Sequence, residues 1–264
     1  MTMKTVTRTL TVPALLLALA GPGFAQSPAS AELRFSTGVM HLREGRTDLA
    51  LEEFKKAVQE DPKNPYFQKG LGLAYAAKAS ARSSGADAAS AGEWKDAVAC
   101  FRKALEINPY YVDVRNDLGA ALVGSGDREA GKKEFLAAFS DAMNPSPEIS
   151  AYNLGRAYLE EKNLAQAMSW FRSALNRNKA YGAAHMMLAE TLLTAGRLDE
   201  AVAQLETGVR DAPNDLELLL ELGRAYAKAG RFAEARSRFE EAAKADATGP
   251  VGRAAAEQLK TLPK

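Results

Sequence analysis

A chain of 264 residues is long enough for one or two globular domains, and this one is nearly charge-balanced, with 34 Lys and Arg against 33 Asp and Glu. That balance gives no electrostatic footprint for nucleic acid or for an anionic membrane, so neither is expected as a partner. The single cysteine, Cys100, excludes an intramolecular disulfide and reads as a small apolar packing residue.

Residues 1–25 read as a secretory signal. Lys4 and Arg8 supply a positive start. Leu10 to Ala20 is an apolar run shorter than the ~20 residues that a bilayer span requires, and Gly21-Pro22-Gly23 breaks it. Gly23-Phe24-Ala25 resembles a small-x-small cleavage site, which makes Gln26 the expected mature N-terminus. An uncleaved N-terminal anchor is the alternative. No cysteine stands directly after the apolar run, so no lipoprotein anchor is expected. The mature chain is expected to be periplasmic or secreted, with no stable membrane anchor. Residues 26–30 read as a polar linker.

From residue 31 to residue 247 the pattern is helical and repeats. It is clearest at its end, where Leu219, Leu222, Gly223 and Tyr226 recur at three- and four-residue steps, which puts them on one helical face. Phe232, Ala235, Phe239 and Ala242 form a second such face, and Gly230 between them suits a helix C-terminus. The unit is a helical hairpin, with Gly223 and Ala235 where two helices would cross closely and Tyr226 and Phe239 filling the space beside them. The small first-helix position recurs at Gly38, Gly72, Gly119, Gly155, Ala189 and Gly223, in steps of 34, 47, 36, 34 and 34. A small second-helix position recurs at Ala50, Ala97, Gly131, Ala167, Ala201 and Ala235. The large position recurs at Phe54, Phe101, Phe135, Phe171, Leu205 and Phe239, in steps of 47, 34, 36, 34 and 34.

A 34-residue period built from helix–turn–helix units resembles the tetratricopeptide repeat family. The motif Leu-Gly-x-x-Tyr stands at Leu71-Gly72-x-x-Tyr75, Leu154-Gly155-x-x-Tyr158 and Leu222-Gly223-x-x-Tyr226, and closing prolines at Pro62, Pro109 and Pro213. The resemblance implies an all-α chain, a right-handed α-solenoid of about six repeats over residues 31–247. Residues 248–264 read as a capping helix and tail, with Arg253, Glu257, Gln258 and Lys260 suited to a polar outer face.

The two step series locate an insertion. The excess of 13 residues must fall between Gly72 and Phe101, close to Lys78–Ser90. Its small, polar residues around Gly85 read as a mobile loop, and a helix extended by alanine through Arg82 is the alternative. Asn144-Pro145-Ser146-Pro147 adds two residues between the third and fourth hairpins, and its prolines should widen or bend that junction.

No catalytic constellation is present, so no enzyme activity, metal or cofactor is expected. His41 and His185 belong to no zinc-binding pattern, and both fall on first helices in structural settings; Met186 and Met187 read as packing. Neither a phosphate loop nor a Gly-x-Ser-x-Gly elbow occurs. Carboxylates such as Glu52 and Glu53 stand beside Lys55 and Lys56, as on a solvated helix face.

The resemblance further implies a concave groove, lined by the first helices, that holds a peptide segment of a partner protein. Carried over by position, that groove comprises Phe35, Val39, Tyr66, Lys69, Leu73, Asn116, Ile149, Tyr152, Arg156, Met186, Glu190, Leu220 and Arg224. The set is strongly apolar for a solvent-facing surface, and packing of several members against the adjoining hairpin is the competing reading. Phe35 and Val39 stand where a carboxylate clamp would need lysine and asparagine, and Leu73 follows Lys69 where asparagine would be needed, so no such clamp is expected. The expected function is that of an exported adaptor. The alternative is a structural subunit of an envelope assembly serving secretion, pilus or outer-membrane biogenesis.

Overall fold

The computed structural model describes residues 28–82 and 88–263. The expected signal and the start of the linker lie outside the described residues. α1 begins at Pro28, inside the expected linker, as suits a proline that needs no hydrogen-bond partner in a first helical turn.

Among the described residues thirteen α-helices and no strand occur, and twelve of the helices pair into six hairpins. These are α1 (Pro28–Arg43) with α2 (Thr47–Glu60), α3 (Pro65–Arg82) with α4 (Ala88–Ile107), and α5 (Val112–Gly124) with α6 (Arg128–Ser140). They continue with α7 (Pro147–Glu160) and α8 (Leu164–Arg177), α9 (Gly182–Thr194) and α10 (Leu198–Asp211), and α11 (Leu216–Lys228) and α12 (Phe232–Ala245). Each first helix brings its backbone close to the first helix of the next hairpin, whereas among the described residues no two second helices approach that closely; they meet through long side chains, as where the Phe139 and Trp170 rings lie 5.4 Å apart. The first helices therefore form the inner, tighter layer of an α-solenoid, and the second helices its outer layer.

Five of the six hairpins are locked by one aromatic ring over one glycine. Phe171 is fully buried, and a Cβ added at Gly155 would lie 2.5 Å from its ring. Gly38, Gly72, Gly119 and Gly223 stand in the same relation to Phe54, Phe101, Phe135 and Phe239, with approaches of 2.5–2.8 Å. The fifth hairpin varies both partners together: Ala189 replaces the glycine and Leu205 the ring, and both are buried. A smaller aliphatic side chain leaves room for one methyl group.

The turns share a backbone solution. Gly45, Gly126, Gly196 and Gly230 take left-handed conformations, with φ between 74° and 95°. The N–H that follows each glycine bonds five residues back, as from Arg231 to the Tyr226 carbonyl at 2.9 Å, which is the Schellman closure. In the fourth hairpin Lys162 takes this place at φ 60°, a conformation that costs an L-residue roughly 1–2 kcal/mol.

The insertion is not chiefly a loop. α3 runs on to Arg82 and α4 begins at Ala88, so the alanine-extended helix replaces the mobile loop expected for Lys78–Ser90; only residues 83–87 lie outside the described residues. Packing explains the extension. Ala79 and Ser90 are buried and joined by a Ser90 hydroxyl donating to the Ala79 carbonyl at 3.3 Å. Lys78 and Arg82, one turn apart, reach Glu93 across the hairpin at 3.8 and 2.9 Å, and Lys78 also reaches Asp48 at 2.7 Å.

The Asn144 junction is closed from within. Its amide donates to the Ala138 carbonyl at 2.7 Å and to the Ser150 hydroxyl at 3.2 Å, and its oxygen accepts from the Ser146 N–H at 2.9 Å. At the far end α13 (Pro250–Thr261) packs on α11 and α12. Asp246 accepts from the N–H groups of Val251 and Gly252, satisfying donors that the start of α13 leaves open. Ala255 faces in, while Arg253, Glu257 and Lys260 are exposed and Gln258 is half-buried.

The ring–glycine lock has a direct test. Gly155→Ala should destabilise the protein by about 1–3 kcal/mol, the usual cost of overpacking a core. Combining it with Phe171→Leu should cost less than the sum of the two single changes, because the pair then copies Ala189 and Leu205. Denaturant melts of the four proteins decide this, and strictly additive losses would refute the coupling.

Candidate functional site

The inner face of the first helices is the surface the repeat architecture offers, and the structure sorts its residues unevenly. Tyr66 and Ile149 are exposed, at 57% and 41%. Phe35 is half-buried, its ring 5.5 Å from Phe54 and 5.2 Å from Phe67. Val39, Leu73 and Met186 pack partly against the neighbouring cores. Leu220 is buried and faces the core instead of the groove. Tyr152 is half-buried, with its ring 5.8 Å from Phe171 and 5.4 Å from Tyr181. It therefore supports the core as well as the surface, unlike a free groove side chain. The apolar face is thus narrower than the sequence suggests, because neighbouring first helices approach closely enough to cover one another's flanks.

The charged members also divide. Lys69 lies 3.6 Å from Asp117 and 4.0 Å from Asp113, and 5.0 Å from the centre of the Tyr111 ring. Tyr111 in turn meets Tyr66 edge-on at 5.3 Å. Arg224 is paired with Glu221 one turn away. Arg156 and Glu190 are exposed, and among the described residues Arg156 has no ion-pair or side-chain hydrogen-bond partner. Asn116 presents a buried carbonyl oxygen that no donor among the described residues reaches.

Trp94 escaped the sequence reading. It sits on α4, a second helix, yet its indole lies over Gly124 of the inner layer, where a Cβ would come within 2.6 Å of the ring. Only the crossing of α4 over α5 brings it to the inner face. Tyr111 and Tyr181 were missed too, because both stand just before a first helix, outside the positions transferred from the repeat.

The remaining reactive groups have structural settings. His185 is buried, with Nε2 2.8 Å from the Lys179 carbonyl and Nδ1 2.6 Å from the Gln204 amide. Burial pushes the Cys100 thiol up to about 11, which keeps it protonated and inert. Among the described residues no group of three or more His, Cys, Asp or Glu side chains is placed to hold a metal ion, and no helix is long and apolar enough to cross a membrane.

Asp117 is the exception. Burial pushes its carboxyl up to about 6, with the Lys69 ammonium offsetting part of the shift and Asp113 adding to it. Its Oδ2 has no hydrogen bond among the described residues. The folded state therefore holds this proton more tightly than the unfolded chain, whose carboxyl titrates near 3.8. The stability that protonation contributes is fully present below 3.8 and is lost as pH rises through 6. Asp117→Asn should melt a few degrees above the wild type at pH 7.5, and the gap should close as pH falls from 6 to 4. A gap independent of pH would contradict the assignment.

Comparisons with known proteins agree with this architecture. Four family models described as tetratricopeptide or TPR repeats match residues 16–65 and 116–183, 88–126, 158–218 and 216–241, together more than half of the chain. A 144-residue stretch is 24% identical to the BBSome complex member BBS4 of Bos taurus, covering 54% of this chain and only 27% of that protein. Two solved structures share the fold. One, from a functional characterisation of Pseudomonas aeruginosa pilF, has a TM-score of 0.61 at 20% identity and covers 87% of this chain and 98% of its own. The other, PilW, described as a widely conserved type IV pilus biogenesis factor, has a TM-score of 0.62 at 19% identity and covers 84% and 96%. With ring and glycine in phase through successive hairpins and four repeat models tiling the sequence, this chain belongs to the tetratricopeptide repeat family.

Proposed function

We propose that this protein is an exported scaffold that holds a segment of a partner protein against its inner face. The observation that carries the reading is the run of exposed or half-covered side chains at Tyr66, Ile149, Tyr152 and Arg156 on the inner layer. Aromatic and arginine side chains at the centre of an array are the residue types that dominate binding energy. Repeat proteins of this family generally act as non-enzymatic scaffolds, which fits the structural settings of His185 and Cys100. Export rests on the positively started apolar run before Ala25.

A second reading has its own support. The likeness to the pilF structure and to PilW, described as a type IV pilus biogenesis factor, favours a structural subunit of an envelope assembly. Tyr110 and Met143, 85% and 79% exposed at the hairpin junctions, would then carry contacts outside the groove.

Tyr152→Ala separates the two readings. It should weaken retention of the envelope partner by about 2 kcal/mol or more, with a smaller loss of stability, because its ring also rests on Phe171. Ile149→Ala, at an exposed position, should weaken retention with an unchanged melting temperature. If both variants keep the partner and Tyr110→Ala with Met143→Ala releases it, the assembly reading prevails. The exported form should begin at Gln26 on N-terminal sequencing, and an intact Met1 would overturn the export assignment.

A further inference from the structure

Three cations stand at inner-face positions, and two are already neutralised: Lys69 by Asp113 and Asp117, and Arg224 by Glu221. Arg156 is exposed and has no such partner among the described residues. It lies on the wall of a depression of ≈ 460 Å³ between α3, α4, α5, α6 and α7. Trp94, Ala120, Val123 and Ala157 supply apolar lining. Asn153, half-buried beside it, also lacks a side-chain hydrogen bond among the described residues. At the other end Glu160 pairs with Arg128 at 3.7 Å and not with Arg156.

The insertion contributes one residue to the depression. Ser80, in the length that α3 gains over the other first helices, forms part of the wall. The residues equivalent to Trp94 in the other hairpins are Thr47, Arg128, Leu164, Leu198 and Phe232, and none is an indole. The inner face continues on both sides, towards α3 and towards α9, so a bound segment passes through instead of ending there.

Resting on the groove reading, we infer that this depression takes an apolar side chain of a partner polypeptide, and that Arg156 and Asn153 bind a Glu or Asp side chain beside it in the same segment. A guanidinium can hold a carboxylate through two parallel N–H donors, and the Asn153 amide can add a third. The apolar walls strengthen the pair by displacing water. A lysine at that place in the segment would meet Arg156 and be rejected.

Trp94 reports on the site directly, since the chain has only two tryptophans and Trp170→Phe leaves it as the sole indole. The full mature protein carrying that change is titrated with short peptides, acetylated and amidated at their ends, in which leucine is followed by glutamate, glutamine or lysine. A fourth peptide ends on leucine with a free carboxylate. The leucine–glutamate peptide should shift Trp94 emission and bind at least about tenfold more tightly than the glutamine and lysine peptides at low salt, with the advantage shrinking as salt rises. Arg156→Ala should abolish that preference, and Arg156→Lys should keep part of it. Equal binding of the glutamate and glutamine peptides, or preference for the free carboxylate end, overturns the inference. If Tyr152→Ala releases the envelope partner while the glutamate and glutamine peptides bind alike, the groove reading stands and the Arg156 assignment falls. If neither Tyr152→Ala nor Arg156→Ala affects partner retention, both fall.

Discussion

The close approach of a phenylalanine ring to a glycine Cα is the contact on which this solenoid depends. In five hairpins the ring sits where even a methyl group would collide, at 2.5–2.8 Å from the position of a Cβ. The glycine itself contributes little burial. Its role is to let two helix backbones pass with a large flat side chain between them, which removes the ring from water and sets the crossing. Burying such a ring is worth roughly 1.5–3 kcal/mol, and the array repeats it hairpin after hairpin. Because each hairpin packs mainly on its neighbours, stability accumulates along the stack and not around one central core.

The same geometry decides what the inner face can present. First helices close enough to touch cover one another's flanks, and so Leu220 is buried and Phe35, Leu73 and Met186 are half-covered. What stays open is a narrower line, with Tyr66 and Ile149 exposed and Tyr152 shared between surface and core. Charge is arranged along that line with equal economy. Lys69 is clasped by two carboxylates and an aromatic face, while Arg156 is left uncompensated beside Trp94.

The second hairpin shows how an irregular stretch becomes structure. Alanine-rich sequence has high helix propensity, yet an isolated extension of this length would be marginal in water. Glu93, reached by both Lys78 and Arg82, and the buried Ala79–Ser90 contact tie the two helices of the extension together. The result is a hairpin longer than its neighbours, with Ser80 in the wall of the depression at Trp94.

The sequence by itself determined the repeat. Gly38, Gly72, Gly119, Gly155 and Gly223, each matched in phase by a phenylalanine, could be read without coordinates, because a crossing that admits only glycine must recur wherever the crossing recurs. The turn glycine at Gly230 was legible for a like reason: a left-handed backbone position is a local demand that glycine meets best. What only the tertiary structure decided depends on residues distant in the chain. Whether Lys78–Arg82 is helix rests on Glu93, whether Lys69 is free rests on Asp113 and Asp117, and whether Trp94 reaches the inner face rests on how α4 crosses α5. Position within a repeat gives the direction of a side chain; which neighbour covers it or cancels its charge is set by the next hairpin, 34 or more residues away.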